Sequence, residues 1–200
     1  MKKILCYGDS NVWGYITGGS RFAESVRWPG LLGQKLGEDY QVIEEGLNGR
    51  NTGVEEPGMP GLNGYDTLPA VLAQHGLLDK VILMLGTNDL SDHLGRSASD
   101  IVNSMESLIR CIQQTVVPFP QIILVSPPRI LDFALQAGFS AAPEKLPALR
   151  QGYRELAERY QGLYLDAAII CTGYAEDGVH LDPLSHSQLA EALFGLIKAS

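Results

Sequence analysis

Lys80-Val81-Ile82-Leu83-Met84-Leu85-Gly86-Thr87-Asn88-Asp89 is the stretch that decides the fold. Its apolar run is unbroken rather than alternating, which suits a strand buried on both faces, as in a parallel sheet. It then stops abruptly in a polar turn. The same succession recurs on either side. Upstream, Ile4-Leu5-Cys6-Tyr7 runs into Gly8-Asp9-Ser10-Asn11, and Gln41-Val42-Ile43 runs towards Gly46-Leu47-Asn48-Gly49-Arg50-Asn51. Downstream, Gln121-Ile122-Ile123-Leu124-Val125 and Gly162-Leu163-Tyr164-Leu165 supply a fourth and a fifth strand.

Helical spacing fills the intervals. It predicts helices around Trp28 to Leu36, through Ile101, Met105, Leu108, Ile109 and Ile112, and through Leu149, Tyr153, Leu156 and Tyr160. The last helix is expected to open on a capping box of Ser185 and Gln188 and to place Leu189, Leu193, Leu196 and Ile197 on one face. Alternating strands and helices imply a three-layer α/β domain, with right-handed crossovers covering both faces of the sheet. The 200 residues suit one domain spanning 1–200, with no internal repeat or dividing linker. Val54 to Asp66 and Pro127 to Pro143 fit neither period. Both are expected to be loops that line a pocket or meet another subunit, with Phe133 to Phe139 as the first contact surface to suspect.

The formal net charge of −8, with no run of Lys or Arg, argues against nucleic acid and anionic lipid as partners. The apolar stretch after Lys2-Lys3 is too short for a signal-peptide core or a membrane span, so a cytoplasmic location is expected. Cys6, Cys111 and Cys171 are odd in number and far apart, which argues against a disulfide framework or a structural zinc site. Asp177, His180, Asp182 and His186 match no strong metal-ligand spacing. No GxGxxG or P-loop pattern follows any strand, so no cofactor is expected.

In an open parallel sheet, ligands bind beyond the carboxyl ends of the strands. The clusters Gly8–Asn11, Gly46–Asn51 and Gly86–Asp89, with Asp177-Gly178-Val179-His180-Leu181-Asp182 before the last helix, should therefore converge on one edge. Their residue types point to a reaction. A serine needs a base to take its proton, and an imidazole of pKa about 6.5 suits that task. The imidazole in turn needs a carboxylate to fix its tautomer. Ser10, His180 and Asp177 supply the three. Attack on an ester creates an oxyanion, for which the Ser10 N–H, the Gly49 N–H and the Asn88 side-chain amide are candidate donors.

These four blocks, in this order, resemble the SGNH (GDSL-like) hydrolases, and the likeness runs from Lys3 to the final helix. The resemblance implies a flavodoxin-like fold with a five-stranded parallel sheet and Ser10 as nucleophile. It also implies Gly49 and Asn88 as oxyanion donors and Asp177 with His180 as the rest of a triad. Asn11 stands where the GDSL form has leucine. Arg27-Trp28, Val42-Ile43-Glu44-Glu45-Gly46-Leu47, Leu62-Asn63-Gly64, Met84–Asp89 and Val125-Ser126-Pro127-Pro128 are similar to the bacterial arylesterase/acyltransferase subgroup. That likeness implies hydrolysis of small aryl or alkyl esters, acyl transfer to alcohols, and homo-oligomers. A carbohydrate O-acetyl esterase and a non-catalytic module binding a small ligand are the alternatives.

The remaining polar residues are assigned structural roles. Asp9 should hold the turn before Ser10, and Asp89 should be a turn residue. Arg50 is either a pocket-edge residue or, as the expected role, a partner in an ion pair. His186 belongs at the surface or behind the site, and His75 and His93 should be solvated. Trp13 and Tyr15 either wall the site or pack in the core, while Cys6 is a small buried apolar residue.

Overall fold

The apolar runs are the strands of one parallel sheet. The computed structural model describes residues 1–56 and 58–200, so Pro57, within the Val54–Asp66 stretch, lies outside the described residues. In chain order the elements are β1 (Lys2–Gly8), α1 (Ser10–Trp13), β2 (Tyr15–Ile16), β3 (Ser20–Arg21), α2 (Trp28–Leu36), β4 (Tyr40–Gly46) and α3 (Gly64–His75). They continue with β5 (Lys80–Met84), α4 (Ala98–Thr115), β6 (Gln121–Ser126), α5 (Asp132–Gln136), α6 (Ala142–Arg159), β7 (Leu163–Asp166), α7 (Ala167–Ile170) and α8 (Pro183–Lys198). Two short 3-10 turns, Asn88–Leu90 and Asp92–Leu94, follow β5. The sheet order is β4-β1-β5-β6-β7, every neighbouring pair parallel. This is the flavodoxin-like order: the chain leaves β1 for one edge, then returns to build the other side, and the crevice opens between β1 and β5.

The unbroken apolar runs follow from burial on both faces. Leu5, Tyr7, Val81, Leu83, Ile122 and Leu124 point into one core with Leu68 and Leu72 of α3, Ile101 to Ile112 of α4, and Leu149, Tyr153 and Leu156 of α6. Ile4, Cys6, Ile82, Met84, Ile123 and Val125 point the other way, against Trp28 and Leu32 of α2 and Leu189, Leu193 and Ile197 of α8. Two-residue alternation sends successive side chains to opposite layers, so both sets must be apolar.

Four expectations need correction. The stretch up to Asp66 is not loop throughout, because α3 starts at Gly64, where the Asn63 side chain accepts from the Tyr65 and Asp66 N–H groups. Gly64 and an internal Pro69 disguise its helical character. The Pro127–Pro143 stretch likewise contains the short α5 and the start of α6. The last helix is capped by Asp182, not by Ser185. Asp182 accepts from the Ser185 N–H at 2.9 Å, while the Ser185 hydroxyl donates to the Gly173 carbonyl at 2.6 Å. Finally, His75 is not a solvated residue: its ring meets Glu45 at 2.6 Å with 16% of its side chain exposed.

Candidate active site

Ser10 is the first residue of α1, directly after β1. Asp9 caps this single turn, its carboxylate accepting from the Asn11 N–H at 2.9 Å, and Gly14 ends it in the left-handed region at φ 85°. A strand that turns at once into a helix holds Ser10 at the carboxyl edge of the sheet with its N–H free of the helix ladder. Asp177 and His180 lie on the loop between α7 and α8. The loop is closed by bonds from Ala175 N to the His180 carbonyl at 2.8 Å and from Gly178 N to the Ala175 carbonyl at 3.0 Å.

The loop brings the three side chains into line. His180 Nδ1 is 2.8 Å from Asp177 Oδ2, and His180 Nε2 is 2.9 Å from Ser10 Oγ. Partial burial tends to raise the Asp177 pKa. Bonds from the His180 N–H, the Thr17 hydroxyl, the Val179 N–H and the His180 ring outweigh that and hold it well below the usual carboxylate range. Asp177 is therefore an anion that only accepts, so Nδ1 carries the ring proton and Nε2 turns its lone pair to the Ser10 hydroxyl. The Tyr15 ring lies 4.5 Å from the imidazole, centroid to centroid.

The donor side is built from the loops after β4 and β5. Gly49 adopts φ +82°, a conformation favouring glycine, with the Leu62 side chain within 3.1 Å of where a Cβ would stand. Asn88 Nδ2 donates to the Arg50 carbonyl at 2.9 Å, which fixes the amide and leaves its second N–H for another acceptor. Among the described residues, the N–H groups of Ser10 and Gly49 have no internal acceptor. Gly49 and Asn88 also border a cavity of about 310 Å³, walled by Met59, Leu62, Leu94 and Phe139 and edged by Glu56, Ser91 and His93. Ser10 and His180 are not among its lining residues. Phe139, expected at a subunit contact, is thus part of this wall.

The remaining polar residues take the following places in the fold. Asp89, expected to be a turn residue, sits in the 3-10 turn after β5 and is a buried anchor there. It accepts from the Thr52 hydroxyl at 2.6 Å and pairs with Arg96, binding the loop behind Gly49 to the turn that carries Asn88. Among the described residues Arg50 has no ion-pair partner; its guanidinium donates to the Gly8 carbonyl at 2.9 Å and to the Glu45 carbonyl, and sits 4.1 Å over the Tyr7 ring. His93 is exposed, as expected, and also meets Ser91 and Glu56. His186 is buried and accepts from the Trp28 N–H through Nδ1 at 3.2 Å. Burial first, then Arg27 and His180, push its pKa down to about 4, so it stays neutral at pH 7.

Two contributors carried no signal in the sequence. Asn11 Oδ1 accepts from the Leu181 N–H at 3.0 Å, tying the residue after Ser10 to the loop that carries His180. Thr17 donates to Asp177 Oδ2 at 2.7 Å across 160 residues of chain. Only the polar character of position 11, where the resembled family has leucine, hinted at either.

A flavodoxin-order sheet with a serine, an imidazole and a carboxylate aligned beyond its strand ends has the arrangement of the SGNH class of esterases and acylhydrolases. Comparison with known proteins places it: the GDSL-like lipase/acylhydrolase family model matches residues 6–187, and the chain belongs to that family. The structure of native M. smegmatis aryl esterase is 36% identical at a TM-score of 0.91, over 100% of this chain and 99% of that one. A carbohydrate acetylesterase family member from Sinorhizobium meliloti is 34% identical at 0.92, over 100% and 98%. Est24, a carbohydrate acetylesterase from Sinorhizobium meliloti, is 32% identical at 0.92, over 100% and 99%. A search of the curated proteins gives no match. Among the described residues no group of three or more His, Cys, Asp or Glu is disposed to hold a metal, and no helix is long and apolar enough to cross a membrane.

Proposed function

We propose that the protein is a serine esterase for small aryl or alkyl esters, acting through an acyl-enzyme on Ser10. The observation that carries the reading is the unbroken chain Ser10 Oγ, His180 Nε2, His180 Nδ1, Asp177 Oδ2, with links of 2.9 and 2.8 Å. Ser10 Oγ attacks the acyl carbon while its proton passes to His180 Nε2. Charge develops on the carbonyl oxygen, where the N–H groups of Ser10 and Gly49 and the Asn88 amide receive it. The intermediate collapses, the ester C–O bond breaks, and His180 returns the proton to the departing alkoxide. Water, or a second alcohol, then attacks the acyl-serine with His180 again as base. Asp177 stays ionised throughout and stabilises the imidazolium.

Likeness to the M. smegmatis aryl esterase favours aryl esters, and the mostly apolar walls beside Gly49 and Asn88 suit a small hydrophobic group. A second reading, deacetylation of sugars, draws on the Sinorhizobium relatives and on the paired Glu56 and His93 at the cavity edge, which could bond to hydroxyls. A panel of p-nitrophenyl acetate, butyrate and octanoate against acetylated xylose and glucosamine tests the choice. The first reading expects kcat/KM highest for the short aryl esters. Preference for the acetylated sugars would replace it with the second.

A further inference from the structure

We infer that Thr17 is a positioning residue for the reaction and that the β2–β3 hairpin exists in this fold to deliver it; the inference rests on the Ser10, His180, Asp177 reading above. The Asp177 carboxylate has four donors. Oδ1 accepts from the Val179 and His180 N–H groups, both at 3.0 Å and both within its own loop. Oδ2 accepts from His180 Nδ1 at 2.8 Å and from the Thr17 hydroxyl at 2.7 Å. Among the described residues, Thr17 is the one donor that reaches this carboxylate from outside the loop.

A carboxylate oxygen offers two in-plane lone-pair directions. With Thr17 on one, His180 is directed to the other, and rotation of the carboxylate about its Cβ–Cγ bond would break bonds on both oxygens. The imidazole plane is thereby set from the Asp177 side, while the Tyr15 ring, from the same hairpin, lies against its face at 4.5 Å. The hairpin is itself braced. The Arg21 Nε donates to the Trp13 carbonyl at 2.6 Å, its other nitrogen meets Glu44 at 2.8 Å, and the Phe22 N–H reaches the Gly14 carbonyl at 2.8 Å. Its turn places Gly18 and Gly19 at φ +102° and +103°. A solvent-facing two-stranded ribbon of this size buries little and is not stable alone, so its bracing has a purpose only through what its side chains touch. Besides the bracing contacts of Arg21, those include Thr17 on Asp177 and Tyr15 on His180.

The test compares wild type, Thr17→Val, Thr17→Ser and Ser10→Ala on p-nitrophenyl acetate, with thermal melts of each. Thr17 is exposed, so the isosteric valine should leave the melting temperature unchanged. The expected result is a fall in kcat of about tenfold in Thr17→Val, of the order typical for groups that orient a reacting side chain. KM should stay within about twofold, since the hydroxyl faces Asp177 rather than substrate. Thr17→Ser should restore most of the rate. The inference is overturned if Thr17→Val matches wild type, if KM alone rises, or if the serine variant is as slow as the valine one. Full activity in Ser10→Ala would instead overturn the reading on which it rests, so the two failures are distinguishable.

Discussion

Among the described residues, a serine hydroxyl, an imidazole and a carboxylate stand in a row both at Ser10–His180–Asp177 and at Ser91–His93–Glu56, and the two rows differ in geometry and surroundings. In Ser10–His180–Asp177 the imidazole meets serine through Nε2 and carboxylate through Nδ1; in Ser91–His93–Glu56 it meets serine through Nδ1 at 2.5 Å and carboxylate through Nε2 at 3.0 Å. The first imidazole is 18% exposed and the second 60%. Among the described residues the Ser10 N–H has no internal acceptor, whereas the Ser91 N–H is spent on the Asn88 carbonyl at 3.1 Å. The Ser91 hydroxyl also faces the Gly138 carbonyl, whose negative end would repel an oxyanion. Three residue types in a row do not make an acyl-transfer site. The donors around the serine and the burial of the base decide it.

Substitutions in the two rows should therefore diverge. His180→Ala is expected to lower kcat by about 10⁴- to 10⁶-fold, and Asn88→Ala by about 10²- to 10³-fold. His93→Ala should change kcat by no more than about threefold, its effect falling on KM through the cavity edge. Steady-state kinetics on p-nitrophenyl acetate would measure all three. A His93→Ala loss comparable to that of His180→Ala would erase the distinction.

Under Ser10, Asp9 is fully buried, and burial raises its pKa to about 7 despite the bond it accepts from the Asn11 N–H. An unfolded aspartate ionises near 3.8, so between that pH and about 7 the folded protein holds a proton that the unfolded chain lacks. Stability must then fall as pH rises through this window, by at most about 1.4 kcal/mol per pH unit. Asp9→Asn keeps the capping oxygen and removes the titration. Its melting temperature relative to wild type should accordingly rise between pH 4 and pH 7. A constant difference across that range would show that Asp9 ionises at its ordinary pH.

The same contrast explains what could be read in advance. Strands buried on both faces must be apolar at every position, so β1, β5 and β6 stand out as runs in the sequence. Ser10, Asp177 and His180 were legible because each belongs to a short contiguous cluster at a strand or helix end. Thr17 was not, because its partner is 160 residues away and a hairpin of two-residue strands has no periodicity to detect. Asp89 reads as a turn residue and Arg50 as an ion-pair or pocket-edge residue, and neither reading tells of burial. Their burial depends on Arg96 and Thr52 in one case and on the Tyr7 ring and two carbonyls in the other, all brought together only by the tertiary fold. Ser185 matched a capping pattern, yet Asp182 three residues earlier competed for the same helix start and prevailed.

Reaction with a fluorophosphonate, followed by mass-spectrometric mapping of the adduct, decides whether Ser10 alone among the serines is the activated nucleophile. One adduct per chain on Ser10, loss of esterase activity in step with labelling, and no adduct on folded Ser10→Ala are expected. An adduct on Ser91, or labelling of Ser10→Ala at the wild-type rate, would contradict the assignment of Ser10.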